Sequence, residues 1–296
     1  MKGSARRDWV RFERQGRTAV LTLDHPPVNV LSRAVLEDLE HRLAEVERDP
    51  EVRVVILASA AERAFAAGAD IREMAPMGPS AARVHGARGQ GVTRQIERLP
   101  LPVIAAVHGV CLGGGCELAL ACDFIVASDD ATFGQPEVNL GVMPGWGGTR
   151  RLPRRIGPTA ARHWILTGRP VPASEAYTAG LVYRVVPRAD LVRVAGELAH
   201  ELAGKPPVAL AAAKYALLNA IDPSRDTGLA YELDLWARLF GTPGQKEGMS
   251  AFLEKRGLSE SARTDWETVS AGFPWATRAA GAPSGKRKKA DASRSS

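Results

Sequence analysis

Residues 112–123 read LGGGCELALACD, three consecutive glycines that lead into an apolar stretch. The apolar run PVIAAVHG at 102–109 precedes them and has the length of a buried strand, so the glycines mark a strand-to-helix junction. Glycine lets a ligand approach the main chain, and the first N–H groups of a helix have no internal acceptor. Such a junction can bind an anion, either a phosphate or an oxyanion that develops during a reaction. Glu117 falls within the first turn of the predicted helix.

Other interpretations of this junction are weaker or stay open. A dinucleotide-binding loop would need a third glycine where Leu118 stands, and a P-loop would end in Gly-Lys-Ser/Thr. Close packing of the helix on the strand would also explain the glycines. A glutamate in the first turn is often only a favourable partner of the helix dipole. The junction alone therefore does not decide the function.

Strands and helices alternate around the junction. The predicted strands are two in 10–24, then 52–59, 102–109, 124–128 and 180–186, with loops at 65–74 and 131–156, the second holding a short helix. The predicted helices are 33–48, 79–98, 158–167, 173–179, 189–203, 207–220, 225–240 and 244–255. This order indicates an α/β core followed by a helical C-terminal part.

The composition is that of an ordinary soluble globular protein, with 45% hydrophobic and 24% charged residues. No apolar run is long enough to span a membrane, and the N-terminus has no apolar stretch typical of a secretory signal, so we expect a cytoplasmic protein without a membrane partner. Most of the net charge of +6 comes from residues 281–296, which contain five basic residues and one acidic residue, Asp291. We expect this segment to be a disordered tail, with no nucleic-acid partner.

The three cysteines, Cys111, Cys116 and Cys122, lie close together in an apolar stretch without Cys-x-x-Cys spacing. Buried free thiols are expected. The sequence contains no metal-binding motif.

Four segments occur in one order along the chain: FAAGADIREM at 65–74, IAAVHGVCLGGGCELALACD at 104–123, TFGQPEVNLGVMPGWGGTRRLPRRIG at 132–157 and EGMSAFLEKR at 247–256. With these segments the sequence resembles the crotonase family, and within it the enoyl-CoA hydratases, from about Val10 to Gly257. The resemblance implies an α/β fold, a crotonase-like spiral of ββα units with a C-terminal helical trimerisation region. It divides the chain into a flexible N-terminus (1–9), the spiral core with the active site (10–190), the helical region (191–257) and an extension with the basic tail (258–296).

The resemblance also implies the chemistry. It identifies Glu117 and Glu137 as the catalytic carboxylates, with Glu117 activating water and Glu137 donating the proton to the α-carbon. It assigns the backbone N–H groups of Ala69 and Gly114 to the oxyanion hole that binds the thioester oxygen. Relatives that only isomerise double bonds usually lack one of the two acids, so the presence of both favours hydration.

Other positions matching the family pattern are expected to bind substrate: Ala67, Gly68, Asp70, Ile71, Pro136, Gly145 and Lys255. Lys255 matches a basic position that contacts the CoA nucleotide, often from a neighbouring subunit. Trp146 stands at a variable position and is expected to pack, and His108 is given no catalytic role. The expected partners are an acyl-CoA substrate and further copies of the chain in a homotrimer or homohexamer, with no cofactor.

The proposed roles carry expectations about ionisation. The N-terminus of its own helix should help to keep Glu117 ionised. Glu137 can act as an acid near neutral pH only if burial or the neighbouring carboxylate raises its pKa.

Three alternatives stay open. The chain could catalyse another crotonase-type reaction, such as methylglutaconyl-CoA hydration or enoyl-CoA isomerisation, because the acyl pocket, notably the helix at 79–98, decides the substrate. It could be an RNA-binding hydratase relative, in which case removal of residues 281–296 would abolish polyanion binding and spare hydration. A catalytically silent scaffold is disfavoured by the presence of Glu117 and Glu137.

Overall fold

The computed structural model describes residues 8–220, 231, 233–234, 236–240 and 242–260. The predicted flexible segment before Asp8, residues 225–230 of the predicted helix 225–240 and the predicted basic tail lie outside the described residues.

The strands are β1 (Val10–Gln15), β2 (Thr18–Leu23), β3 (Val54–Ser59), β4 (Ala64–Ala66), β5 (Val103–Val107), β6 (Val110–Leu112), β7 (Phe124–Ser128), β8 (Thr132–Gly134), β9 (Val171–Pro172) and β10 (Arg184–Val186). The helices are α1 (Arg33–Arg48), α2 (Ile71–Met74), α3 (Pro79–Arg98), α4 (Gly114–Ala121), α5 (Gly148–Ile156), α6 (Pro158–Thr167), α7 (Ala173–Thr178), α8 (Leu191–Ala203), α9 (Pro207–Ala220) and α10 (Pro243–Leu253). Short 3-10 helices cover Pro136–Leu140 and Arg188–Asp190.

From β3 to β8, consecutive strands alternate between two sheets. The larger sheet has the order β1-β2-β3-β5-β7-β10 and the smaller one the order β4-β6-β8-β9. A strand of the larger sheet, a strand of the smaller sheet and a helix therefore follow one another repeatedly, as in β3-β4-α3 and β5-β6-α4. The predicted α/β fold with a spiral of ββα units is confirmed.

The larger sheet is covered on both faces, which explains why β3 reads as a continuous apolar run. Val54 and Ile56 contribute to a cluster with Val194 and Ala199 of α8. The alternating residues Val55 and Leu57 belong to the main core, to which α1 and α3 contribute. Both sides of β3 are apolar because each side packs against a different layer of helices.

Three predicted segments differ in detail from the structure, and one of them, the predicted loop at 131–156, contains the strand β8 in addition to helices. The predicted loop at 65–74 contains part of β4 and the helix α2. These elements are three and four residues long, too short to produce a periodic pattern in the sequence. The predicted strand at 180–186 pairs only over Arg184–Val186, where β10 lies beside β7.

Asn29 joins the larger sheet to the segment that follows β4. It is fully buried, and its side-chain oxygen accepts from the His25 N–H at 2.7 Å. Its amide nitrogen donates to Ser59 Oγ at 2.7 Å and to the Phe65 carbonyl at 2.9 Å. Two backbone bonds continue the attachment, from the Ala67 N–H to the Val28 carbonyl at 3.0 Å and from the Leu31 N–H to the Gly68 carbonyl at 2.8 Å. The loop that includes Asn29 thus holds residues 65–68 in place.

We expect Asn29→Ala to lower the free energy of unfolding by about 2–4 kcal/mol, because it leaves several buried polar groups without partners and places alanine at a positive φ of 50°. Urea denaturation followed by circular dichroism measures this loss.

The matched control is Asn219→Ala, since in the described part of the chain the exposed Asn219 amide bonds only within its own helix. It should change stability by less than about 0.5 kcal/mol. Equal stability of the two variants would contradict the anchoring role of Asn29.

Candidate active site

The three segments that carry the glycine or glutamate motifs follow three neighbouring strands of the smaller sheet. β4 and β6 pair in parallel, as do β6 and β8. Their carboxyl ends therefore meet at one edge, a common position for ligand sites in parallel sheets. Residues 67–70, 113–117 and 135–137 come directly after these ends and lie side by side.

A cavity of about 300 Å³ lies at this edge. Its lining residues include Ala67, Gly68, Ala69, Ile71, Gly114, Glu117, Pro136, Glu137 and Gly145. Nine of the eleven residues singled out in the sequence thus share one cavity, and the other two, Asp70 and Lys255, do not line it.

Glu117 lies almost completely buried on the first turn of α4, with 2% of its surface exposed. Its Oε1 accepts from the Trp146 and Gly148 N–H groups, each at 2.7 Å. Gly148 begins α5, so a different helix directs its N-terminal N–H groups at this carboxylate.

Burial is the largest influence on Glu117 and raises its pKa above the ordinary value. The N–H groups of Gly148 and Trp146 and the charge of Arg151 act in the opposite direction. The prediction that the N-terminus of its own helix helps to keep Glu117 ionised stays a prediction. The donors come from α5 and the loop before it, and burial outweighs them.

Glu137 lies on the 3-10 helix after β8, beside the glycine loop at 113–115 that follows β6. A Cβ on Gly113 would lie 3.2 Å from Glu137 Oε1. Burial raises the pKa of Glu137 to about 7, and the negative charge of Glu117 contributes in the same direction. The prediction that burial or the neighbouring carboxylate raises this pKa is confirmed.

The buried Gln135 side chain reaches the same carboxylate. With its NH2 group turned toward Glu137, it donates to Oε1 at 3.0 Å and to Oε2 at 3.3 Å. Gln135 is a site residue that sequence reasoning missed, although it directly precedes the Pro-Glu pair.

Two glycine loops, at 67–70 after β4 and at 113–115 after β6, bring two backbone N–H groups to the cavity. A Cβ on Gly68 would lie 3.7 Å from the Gly114 nitrogen, so the two main chains are in contact. Gly68 and Gly113 have positive φ angles of 100° and 51°, which a side chain would oppose. Within the described residues, the N–H groups of Ala69 and Gly114 donate to no acceptor.

The remaining predicted residues have separate positions. The Asp70 carboxylate accepts from the Arg72 N–H at 2.9 Å and caps α2. Ile71 is 55% exposed at the cavity wall. The Gly145 carbonyl accepts from Gln90 Nε2 at 2.9 Å. Lys255 is exposed beyond the end of α10.

Trp146 is more than a packing residue. Its indole lies between two glycines, because a Cβ on Gly89 or Gly114 would come within 2.4 Å of its ring. Its carbonyl accepts from Thr93 Oγ1 at 3.0 Å and from Arg151 at 2.7 Å. These bonds fix the N–H that holds Glu117. Of the three glycines of α3, which are Gly86, Gly89 and Gly91, only Gly89 lies against the indole.

Arg151 holds this loop in place from α5. It makes two hydrogen bonds to the Glu97 carboxylate, at 2.7 and 2.6 Å, in addition to its bond to Trp146. Paired guanidinium–carboxylate bonds are geometrically specific, so Glu97 and Arg151 connect α3 to the start of α5.

Outside the cavity, His108 Nε2 lies 2.8 Å from the Ala61 carbonyl, and the three cysteines are buried and free, as predicted. In the described part of the chain, no group of His, Cys, Asp and Glu side chains could hold a metal ion. None of the helices described here is long and apolar enough to cross a membrane.

Comparisons with known proteins agree with this geometry. Residues 13–260 match the family model described as Enoyl-CoA hydratase/isomerase. The chain is 43% identical over 248 residues to the short-chain-enoyl-CoA hydratase of Clostridium acetobutylicum, which covers 83% of this chain and 95% of the relative. It is 41% identical over 246 residues to the crotonyl-CoA hydratase of Syntrophomonas wolfei, with 83% and 95% covered. The crystal structure of an enoyl-CoA hydratase from Bacillus anthracis superposes with a TM-score of 0.81 at 40% identity, over 85% of this chain and 98% of that one.

We expect Gly115→Ala to destabilise the protein by at least about 2 kcal/mol, because the new Cβ would lie 2.2 Å from the Ala66 carbonyl oxygen and force α4 away from β4. Urea denaturation of the purified variant gives the free energy of unfolding.

Gly91→Ala is the control, since Gly91 lies in α3 with open space around its Cβ position. It should leave stability unchanged or raise it by up to about 1 kcal/mol. If Gly115→Ala were as stable as Gly91→Ala, the close approach of α4 to β4 would not be needed.

Proposed function

Because the chain belongs to the enoyl-CoA hydratase/isomerase family and is an enoyl-CoA hydratase, we propose that it adds water reversibly to short-chain trans-2-enoyl-CoA, giving 3-hydroxyacyl-CoA. The observation that carries the proposal is the position of Glu117 and Glu137 in one cavity with two glycine loops. The two relatives named for short-chain and crotonyl substrates support the choice of chain length.

The thioester oxygen is proposed to bind between the N–H groups of Ala69 and Gly114. Attack of water at C3 moves negative charge through C2 onto this oxygen, which becomes enolate-like. The N–H donors are preorganised because the glycine loops hold them and α4 begins at Gly114. A donor of this kind typically contributes about 3–4 kcal/mol to transition-state stabilisation.

Glu117 is proposed to remove a proton from the attacking water. Its Oε1 already accepts two backbone N–H groups, so we assign Oε2 to the water. The same donors favour the ionised carboxylate that a base requires.

Glu137 is proposed to donate its proton to C2. A pKa of about 7 keeps a proton on this carboxyl group over much of the physiological range. After the reaction Glu117 holds a proton and Glu137 is ionised, so the two exchange roles in dehydration. Hydration transfers no electrons, so the proposed reaction needs no redox cofactor.

Several finer statements stay proposals. We propose assembly as a homotrimer or homohexamer through residues 191–257, with Lys255 and Asp70 near bound CoA. The division of the chain at 190 and 257, the cytoplasmic location and a role in fatty-acid β-oxidation stay predictions from the sequence.

With crotonyl-CoA, loss of the enoyl thioester absorbance should be rapid for the unaltered protein and at least about a hundredfold slower for Glu117→Gln and for Glu137→Gln. Glutamine keeps the shape of each side chain and removes the group that exchanges the proton. Retained activity in either variant would refute the role of that residue.

The control variant is Glu201→Gln, on the exposed surface of α8, which should hydrate crotonyl-CoA like the unaltered protein. Circular dichroism checks that all three variants are folded.

The pH dependence follows from the raised pKa of Glu137. We expect kcat/KM for crotonyl-CoA to fall above about pH 7, approaching tenfold per pH unit, because the carboxyl group loses the proton that it must donate. The form active in dehydration carries the same number of protons, with the proton on Glu117. Dehydration of 3-hydroxybutyryl-CoA should therefore show the same fall. A hydration rate that stayed constant between pH 7 and 9 would contradict this assignment.

A further inference from the structure

The wall of the cavity formed by α3 carries a polar atom that the proposed reaction does not use. His85 lines the cavity together with Ala82 and Gly86. Its Nε2 atom is buried and has no hydrogen-bond partner among the described residues. Buried polar atoms in proteins are almost always paired, so an unpaired one indicates a missing partner such as a bound ligand.

The position of His85 relative to the proposed oxyanion site follows from Trp146. The imidazole and indole ring centroids are 5.6 Å apart, with the planes at 48°. Gly114 lies under the same indole, which leaves no room for a Cβ there. The cavity thus extends from the Gly114 N–H past the indole to the imidazole, a path open to an acyl chain whose thioester oxygen lies at Gly114.

The surroundings of His85 decide which chemistry it would recognise. The cavity is otherwise lined by apolar side chains, which include Met74, Met77, Leu140, Val142 and Met143. Among the described residues, the ionisable side chains of the lining other than His85 are the two glutamates, and no lysine or arginine lines the cavity. The negative charge of Glu117 would repel an acyl chain that carries its own carboxylate.

We propose that His85 Nε2 binds an uncharged oxygen, a hydroxyl or keto group, on the acyl chain beyond C3, and that the protein prefers 2-enoyl thioesters that carry one. The proposal rests on the proposed hydratase function and names its substrate class. A plain alkyl chain would bury the imidazole nitrogen without a partner, whereas a hydroxyl group pairs with either tautomer because it both donates and accepts.

The test compares hex-2-enoyl-CoA with its 5-hydroxy and 6-hydroxy derivatives. For the unaltered protein, kcat/KM for one of the hydroxylated substrates should exceed that for the plain one by about tenfold, the value of one neutral hydrogen bond to a buried group. His85→Leu should reduce this ratio to about one. His85→Gln, which places a hydrogen-bonding amide where the imidazole was, should retain part of it. The ratio is informative because a merely structural role of His85 would change both substrates alike.

His41→Leu is the matched control, since His41 is exposed on α1 and does not line the cavity. It should leave the ratio unchanged. Thermal unfolding of each variant checks that it is folded. An equal ratio in His85→Leu and the unaltered protein, or no preference in the unaltered protein, would overturn the proposal. Faster hydration of 2,3-dehydroadipyl-CoA than of both hydroxylated substrates would overturn the choice of an uncharged oxygen.

Hydration of crotonyl-CoA by the unaltered protein is measured first, so that failure of the proposed function is recognised separately. If crotonyl-CoA is not hydrated, calorimetry tests the same site. It compares the binding of 6-hydroxyhexanoyl-CoA, 5-hydroxyhexanoyl-CoA and hexanoyl-CoA to the unaltered protein and to His85→Leu. Tighter binding of a hydroxylated compound that is lost in His85→Leu would support it, and equal binding would overturn it.

Discussion

The parallel pairing of β4, β6 and β8 is the constraint on which the rest of the site depends. Each of these strands is only three residues long, yet each ends at the same edge and is followed directly by a functional segment. The pairing tolerates no side chain at Gly115, where α4 approaches the Ala66 carbonyl. Asn29 and the residues beside it hold the segment after β4 from the other side. The positions of the N–H donors therefore follow from backbone packing.

The two carboxylates of the cavity have different surroundings. Glu117 is the more deeply buried, but two N–H groups at 2.7 Å compensate part of the cost of its charge. Glu137 accepts from the Gln135 side chain, but burial and the negative charge of Glu117 raise its pKa to about 7. A single proton shared between them therefore favours Glu137, and one carboxylate is left as a base and the other as an acid. The donors to Glu117 depend in turn on Trp146 and on the Glu97–Arg151 pair.

The wall formed by α3 and Trp146 completes the cavity. Gly89 makes room for the indole, and His85, one turn before it, faces the same ring. The end of the cavity is apolar except for this imidazole. The proposed catalytic groups thus come from the sheet edge, whereas the groups proposed to select the acyl chain come from a helix and a loop that pack across it.

The sequence by itself determined the long elements and the chemical residues. The patterns at 33–48 and 79–98 predicted α1 and α3, and the family resemblance carried by the glycine and glutamate motifs implied nine residues that share one cavity. It could not supply the two-sheet arrangement unaided, because strands of two or three residues leave no periodic signal. It gave Trp146 only a packing role, gave Gln135 and His85 no role, and did not identify the N–H groups of Trp146 and Gly148 as the donors to Glu117. Those contacts join residues about 30 or more positions apart or depend on a side chain buried by tertiary packing, so only the folded chain decides hydrogen-bond partners and the pKa values that follow from burial.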